Sequence, residues 1–231
     1  MTQQTQPIDL FFWPTPNGFK VTMFFEEVGI PYNVHPINIG AGDQFKPEFL
    51  AIAPNNRMPA ITDPEGPGGE PISIFESGAI LQYLGRKFDQ FYPTDERARV
   101  KVEEWLMWQM GGFGPMLGQN HHFNQYAPEK LPYAMKRYTD ETHRLYGVLN
   151  KQLEGQQFIT GDYTIADMAC LGWARGWEKQ GMDIAEFPNV GGWIDRLMAR
   201  TAVQKAFDVG SEWRKPMSDE DKKTLFNQRA R

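Results

Sequence analysis

Every strand-like run in this chain lies before residue 76, and everything beyond residue 95 reads as helix or loop. That partition predicts an α/β layer structure followed by a helical bundle. In the first half, residues 8–12 (Ile-Asp-Leu-Phe-Phe), 31–37, 60–62 and 71–75 read as short strands. Helices are expected over 17–29, where Gly29 provides a stop, over 47–52, and over 76–87 with Ala79, Ile80, Leu81, Tyr83 and Leu84 on an apolar stripe. The order β-α-β-α-β-β-α suits parallel pairing through a right-handed crossover, then a hairpin. In the second half, helices are expected over 96–110, 131–153, 164–179 and 190–200, with a break around Gly111, Gly112, Gly114 and Pro115 and a charged tail after Ser211. The expected domains are residues 1–88 and 95–231.

Composition narrows the function classes. A chain of 231 residues, 41% hydrophobic, buries enough apolar surface to fold without staples. The net charge of −5 argues against a nucleic-acid or anionic-membrane partner. No run approaches the roughly 20 apolar residues needed to span a bilayer. The polar, uncharged start does not read as a secretory signal. The one cysteine, Cys170, excludes an internal disulfide and a Cys-x-x-Cys redox pair, and it fits a reducing, cytoplasmic setting. Thiol chemistry here needs a thiol carried in by a ligand.

Four motifs occur in order: Thr15-Pro16-Asn17-Gly18, Asn55-Asn56-Arg57-Met58-Pro59-Ala60-Ile61, Phe75-Glu76-Ser77-Gly78-Ala79-Ile80 and Thr164-Ile165-Ala166-Asp167. With the stretch from Gly114 to Phe123 they resemble the glutathione transferase family over nearly the whole chain. The likeness is nearest to the bacterial Nu class, a branch associated with disulfide-bond reductase activity, and to its fungal nitrogen-regulator relatives. It implies a thioredoxin-like N-terminal domain with a mixed four-stranded sheet, an all-α C-terminal domain, a homodimer, glutathione as thiol substrate or bound disulfide, and no metal.

The same likeness assigns roles to residues. Met58-Pro59 resembles the family's cis X-Pro step, which exposes the Met58 backbone to pair with the cysteinyl part of glutathione, much as a peptide adds to a sheet edge. On its own the dipeptide reads equally as an ordinary pre-strand proline. Glu76-Ser77 lies where a strand passes into a helix, whose first N–H groups and positive dipole end attract a carboxylate. The family places the γ-glutamyl carboxylate there; read alone, the pair is a plain helix cap. Many relatives hold the glutathione sulfur with a Tyr, Ser or Cys before the first helix, but none occurs between Phe11 and Lys20. The Nu-class likeness gives that role to the Thr15 hydroxyl and the Asn17 amide, whose bare reading is a turn and helix start. Gln44 matches a position near the glycyl end, and Arg137 a Nu-class arginine that contacts glutathione.

Other features read as structural. Thr164 to Asp167 forms a capping box, not a catalytic pair. His121-His122 cannot share a helix face and has no neighbouring ligand set for a metal. Cys170 lies in an apolar helical stretch, where a cysteine is a small inert hydrophobe. The leading function is disulfide reduction by a bound glutathione thiolate. Alternatives are conjugation or peroxide reduction, with a second pocket around Phe113, Met116 and Phe123, and a non-catalytic interaction module.

Overall fold

The computed structural model describes residues 4–226. They form two compact units, one comprising the described residues up to Phe88 and from Lys205 onward, the other Asp89–Gln204. Sequence assigned residues 95–231 to one helical domain; in the structure the described residues from Lys205 belong with the α/β unit.

The α/β unit is thioredoxin-like. Its strands are β1 (Ile8–Phe12), β2 (Tyr32–Pro36), β3 (Ala60–Asp63) and β4 (Ile72–Phe75), in the order β2-β1-β3-β4. β1 pairs parallel with β2 (Ile8 opposite Tyr32) and antiparallel with β3 (Leu10 opposite Ile61), and β3–β4 is an antiparallel hairpin. Period-2 alternation sends Ile8, Leu10 and Phe12 of β1 into the core, while Phe11 packs on the other face with Phe49, Ala53 and Ala60. The core face meets α1 (Gly18–Val28) and α3 (Ser77–Phe88), which bury Val21, Phe24, Phe25, Ile80, Leu81 and Leu84. Each such side chain contributes about 1.5–3 kcal/mol on leaving water. A short α2 (Pro47–Leu50) precedes the β3 hairpin.

Two glycines shape α1. A Cβ at Gly18 would lie 2.5 Å from the Trp13 carbonyl oxygen and 2.7 Å from the Phe12 ring, so only glycine lets the helix start this close to β1. Gly29 ends it at φ 73°, its N–H reaching the Phe25 carbonyl. The chain from Lys205 closes on the same helix: Thr22 Oγ1 donates to the Ala206 carbonyl at 3.1 Å, Phe207 packs on Phe19, and Trp213 stacks on Trp13 at 5.8 Å. The expected charged tail after Ser211 thus contains a half-buried aromatic contact, that of Trp213, then α10 (Asp219–Phe226), whose start Ser218 and Asp221 cap.

The helical unit contains α4 (Glu96–Trp108), α5 (Gly114–His121), α6 (Pro132–Gln152), α7 (Ile165–Ala174) and α8 (Pro188–Met198); α9 (Thr201–Asp208) spans the division between the units. The break expected at Gly111 does not occur. A π-turn over Gln109–Phe113 carries α4 directly into α5, and a second follows over His122–Tyr126. A widened turn accommodates Pro115, which has no N–H to give, at the start of α5. α7 is shorter than expected, ending at Ala174 before a 3-10 turn, and it is buried on all sides. Its capping box is present: Asp167 accepts from the Thr164 N–H at 2.9 Å, and Thr164 Oγ1 from the Ala166 N–H.

Candidate functional site

Between β1 and α1 the chain turns tightly, with Thr15 N–H donating to the Trp13 carbonyl at 2.7 Å. Thr15 then opens the helix twice: its carbonyl accepts from Phe19 N–H at 3.1 Å and its Oγ1 from Gly18 N–H at 3.3 Å. Asn17 occupies the N-cap position, but its side chain does not cap. An Oγ1 that accepts from the backbone still has its own proton to donate. That proton is directed at sulfur, because Oγ1 lies 3.6 Å from Met58 Sδ. The backbone N–H of Trp13 donates to the same sulfur at 3.2 Å. Two neutral donors at the head of α1 therefore converge on one sulfur atom.

Met58 directly precedes β3, joined to Pro59 by a cis peptide bond. Its own backbone N–H donates to, and its C=O accepts from, no protein partner among the described residues. The preceding motif is tied to the next one by Asn55, whose Nδ2 donates to Glu76 Oε1 at 3.3 Å. Glu76 adopts φ 70°, a left-handed conformation that side-chain-bearing residues seldom take and that clusters at ligand clamps. Its carbonyl accepts the first helical bond of α3, from Ile80 N–H at 2.9 Å. Ser77 follows, buried at the helix start, and its Oγ accepts from the Lys20 ammonium at 3.3 Å.

The first unit thus holds Thr15 against Met58, and Asn55 of the Met58 motif against Glu76, which Ser77 follows. Gln44 stands apart: it is buried in its own turn, its Nε2 donating to the Ile39 carbonyl at 3.1 Å while Oε1 has no partner among the described residues. Arg137 lies exposed on α6 of the other unit. Sequence reasoning missed Trp13, Lys20 and Asn55. Lys20 had a signal: a lysine inside the apolar run Phe19-Lys-Val-Thr-Met-Phe-Phe25, and lysines are almost never buried unless paired.

The pocket expected around Phe113 needs correction. Phe113 is fully buried, packed against Trp108 at 4.8 Å and Tyr146 at 5.6 Å, so it belongs to the core of the helical unit. Phe123 instead stacks on Tyr138, and His121 Nε2 meets the Tyr126 hydroxyl at 3.1 Å. Burial, aided by the Lys179 charge, depresses the His121 pKa. Cys170 is buried, and among the described residues no group of three or more His, Cys, Asp or Glu could hold a metal. No helix among them is long and apolar enough to cross a membrane.

The comparisons with known proteins agree with this architecture. Residues 6–86 match the glutathione S-transferase N-terminal domain and residues 117–201 its C-terminal domain. The chain is 51% identical over 201 residues to the disulfide-bond oxidoreductase YfcG of Escherichia coli, covering 86% of this chain and 94% of that one. The chain belongs to the glutathione transferase family. Among solved structures, the glutathione transferase of Burkholderia graminis, with two glutathione molecules bound per subunit, is 42% identical with a TM-score of 0.84, covering 87% of this chain and 88% of that one. That of Pseudomonas putida, with one glutathione disulfide bound per subunit, is 39% identical with a TM-score of 0.85, covering 90% and 94%.

Proposed function

We propose that this protein is a glutathione-dependent disulfide-bond oxidoreductase in which Thr15 and Asn17 hold the glutathione sulfur, while Met58, Glu76 and Ser77 bind the tripeptide. The observation that carries the reading is the pair of neutral donors, Thr15 Oγ1 and Trp13 N–H, meeting at a sulfur atom beside the start of α1. The name of the Escherichia coli relative and the ligands of the two solved neighbours support it.

Bound glutathione supplies the nucleophile: its thiolate attacks one sulfur of a disulfide, the other sulfur leaves as a thiolate that takes up a proton, and a second glutathione resolves the mixed disulfide. The chain's part is to favour the thiolate. A thiol of pKa about 8.5 is mostly protonated at neutral pH, and donors at a helix start lower that value, each unit worth about 1.4 kcal/mol. The unpaired Met58 backbone can pair with the cysteinyl amide, and the start of α3 suits the γ-glutamyl carboxylate. With Cys170 buried in the other unit, the chain offers no accessible thiol of its own. The family likeness supports a homodimer, and the lone cysteine a cytoplasmic setting.

The test compares turnover of a small disulfide and of an aryl halide, with glutathione, by wild type and by Thr15→Ala/Asn17→Ala. Wild type should prefer the disulfide, and the double variant should lose about tenfold or more at neutral pH. Undiminished disulfide turnover by the variant would remove the proposed thiolate role. A preference for the aryl halide would move the assignment to conjugation.

A further inference from the structure

The sulfur of Met58 stands where two donors meet, the Trp13 backbone N–H at 3.2 Å and Thr15 Oγ1 at 3.6 Å. The side chain is half-buried and packs against the apolar cluster of Ile37, Phe49, Ala53 and Ala60. We propose that Met58 is a reversible oxidation site, at which a hydroperoxide converts the thioether to a sulfoxide that holds both donors and keeps the glutathione sulfur out; this rests on the glutathione site argued above.

A thioether is a weak acceptor, so a ligand thiolate readily takes both donors from Met58. Oxidation reverses that balance. A lone pair of the Met58 sulfur attacks one oxygen of the hydroperoxide, and the O–O bond breaks as the S–O bond forms. The hydroxyl proton passes to the departing oxygen, which leaves as water or an alcohol. Sulfur gives up two electrons and the peroxide is reduced by two. The new oxygen is polar and cannot settle against the apolar cluster behind the side chain, where an unpaired polar group is costly. It turns instead to the two donors already aimed at the sulfur. Methionine is unbranched and flexible, so the side chain can draw back to seat the oxygen between itself and them. The resulting N–H···O and O–H···O bonds are ordinary strong ones, which an incoming glutathione sulfur must displace. Sulfoxide reductases return the thioether, which makes the block reversible. Partial exposure admits the peroxide to Met58, whereas Met23, fully buried in α1, is closed to it.

Wild type, Met58→Leu and Met107→Leu are treated with hydrogen peroxide, the peroxide is removed with catalase, and glutathione binding is measured by calorimetry beside peptide mass spectrometry. Met107, on α4 of the other unit and 50% exposed, is the oxidisable control. Wild type and Met107→Leu should lose about three- to tenfold in affinity as the Met58 peptide gains one oxygen, the equivalent of a net hydrogen bond. Met58→Leu should keep its untreated affinity, and methionine sulfoxide reductases should restore the wild type. Met58 left unoxidised where Met107 is fully oxidised overturns the proposal. So does complete Met58 oxidation with unchanged binding, or an equal loss in Met58→Leu; in these cases the glutathione site itself still stands. Untreated wild type that binds no glutathione at millimolar concentration removes the site assignment and the proposal with it. Should Met58→Leu not fold, Met58→Ile takes its place. Should neither fold, the wild-type time course decides: affinity falling in step with oxygen on Met58 supports the proposal, and affinity that does not follow it refutes it.

Discussion

Asp167 tests whether burial or hydrogen bonding controls a carboxylate in the heart of the helical unit. It is fully buried, and its two oxygens accept four bonds: Oδ1 from Ile159 N–H and Trp193 Nε1, both at 2.9 Å, and Oδ2 from Thr164 N–H at 2.9 Å and Thr164 Oγ1 at 3.3 Å. Burial disfavours the charged form, the four donors favour it, and burial prevails, pushing the pKa up to about 6 from 3.8. Because the folded value is raised, the contribution to stability is full below about pH 4 and is lost as pH rises through about 6. The loss amounts to about 3 kcal/mol. Asp167→Asn removes this titration. In its better orientation the amide nitrogen replaces Oδ2, where the Thr164 hydroxyl can rotate to accept but the Thr164 N–H is left facing another donor. One orphaned buried N–H costs about 1–3 kcal/mol. Urea unfolding of both proteins from pH 4 to 7 should therefore show the variant clearly destabilised at pH 4 and the gap shrinking by about 3 kcal/mol by pH 7. A gap that stays constant, or widens with pH, would mean the donors outweigh burial and would refute the argument.

Met58→Leu keeps the volume but removes the sulfur that engages Thr15 and Trp13; with both donors released, glutathione should bind about two- to threefold more tightly by calorimetry, as expected for loss of a weak competing contact. Weaker binding would count against the sulfur site. Lys87 pairs with buried Asp63, which also accepts from the Tyr83 hydroxyl at 2.6 Å. Lys87→Met should cost about 3–5 kcal/mol at neutral pH by urea unfolding, since it strands a buried carboxylate. Burial acts to raise the Asp63 pKa, but the Lys87 and Tyr83 bonds hold it below the usual value, so its contribution is present above about pH 4 and fades as pH falls through the folded value. The cost of Lys87→Met should shrink in the same range.

The parts of the candidate site that the sequence suggested are local. Thr15, Met58 and Glu76-Ser77 lie in short motifs whose turn and cap chemistry acts within a few residues, and the strands beside them show plain apolar runs. What was hidden depends on distance along the chain. The apolar run around Lys20 hints at burial, but its contact with Ser77, 57 positions away, exists only once the chain folds. Thr15 and Asn17 together read as a turn and helix start, and it is Thr15 Oγ1 that accepts from Gly18 N–H, after a tight turn in which Thr15 N–H bonds the Trp13 carbonyl. Gly111, Gly112 and Pro115 are helix breakers by propensity, but a π-turn absorbs them, and local propensity does not encode that. The stacking of Trp213 on Trp13 is equally nonlocal, which is why the segment after Ser211 read only as a charged tail.

The two ends of the proposed glutathione site are built from different chemistry. At the carboxylate end a lysine charge stands behind a serine at a helix start; at the sulfur end the donors are a hydroxyl and a backbone N–H, both neutral. A carboxylate is ionised at any physiological pH, so more positive charge there only tightens binding. A thiolate behaves otherwise, since its intrinsic nucleophilicity falls as its pKa falls and the best attacking thiol has a pKa near the ambient pH. A cation beside the sulfur would raise the thiolate fraction little once the pKa had dropped below neutrality, and it would blunt attack on the disulfide. In the proposed site, neutral donors, each contributing a modest shift, would hold the sulfur near that optimum. On that proposal, charge stands where binding would need it and is kept from where reactivity would suffer.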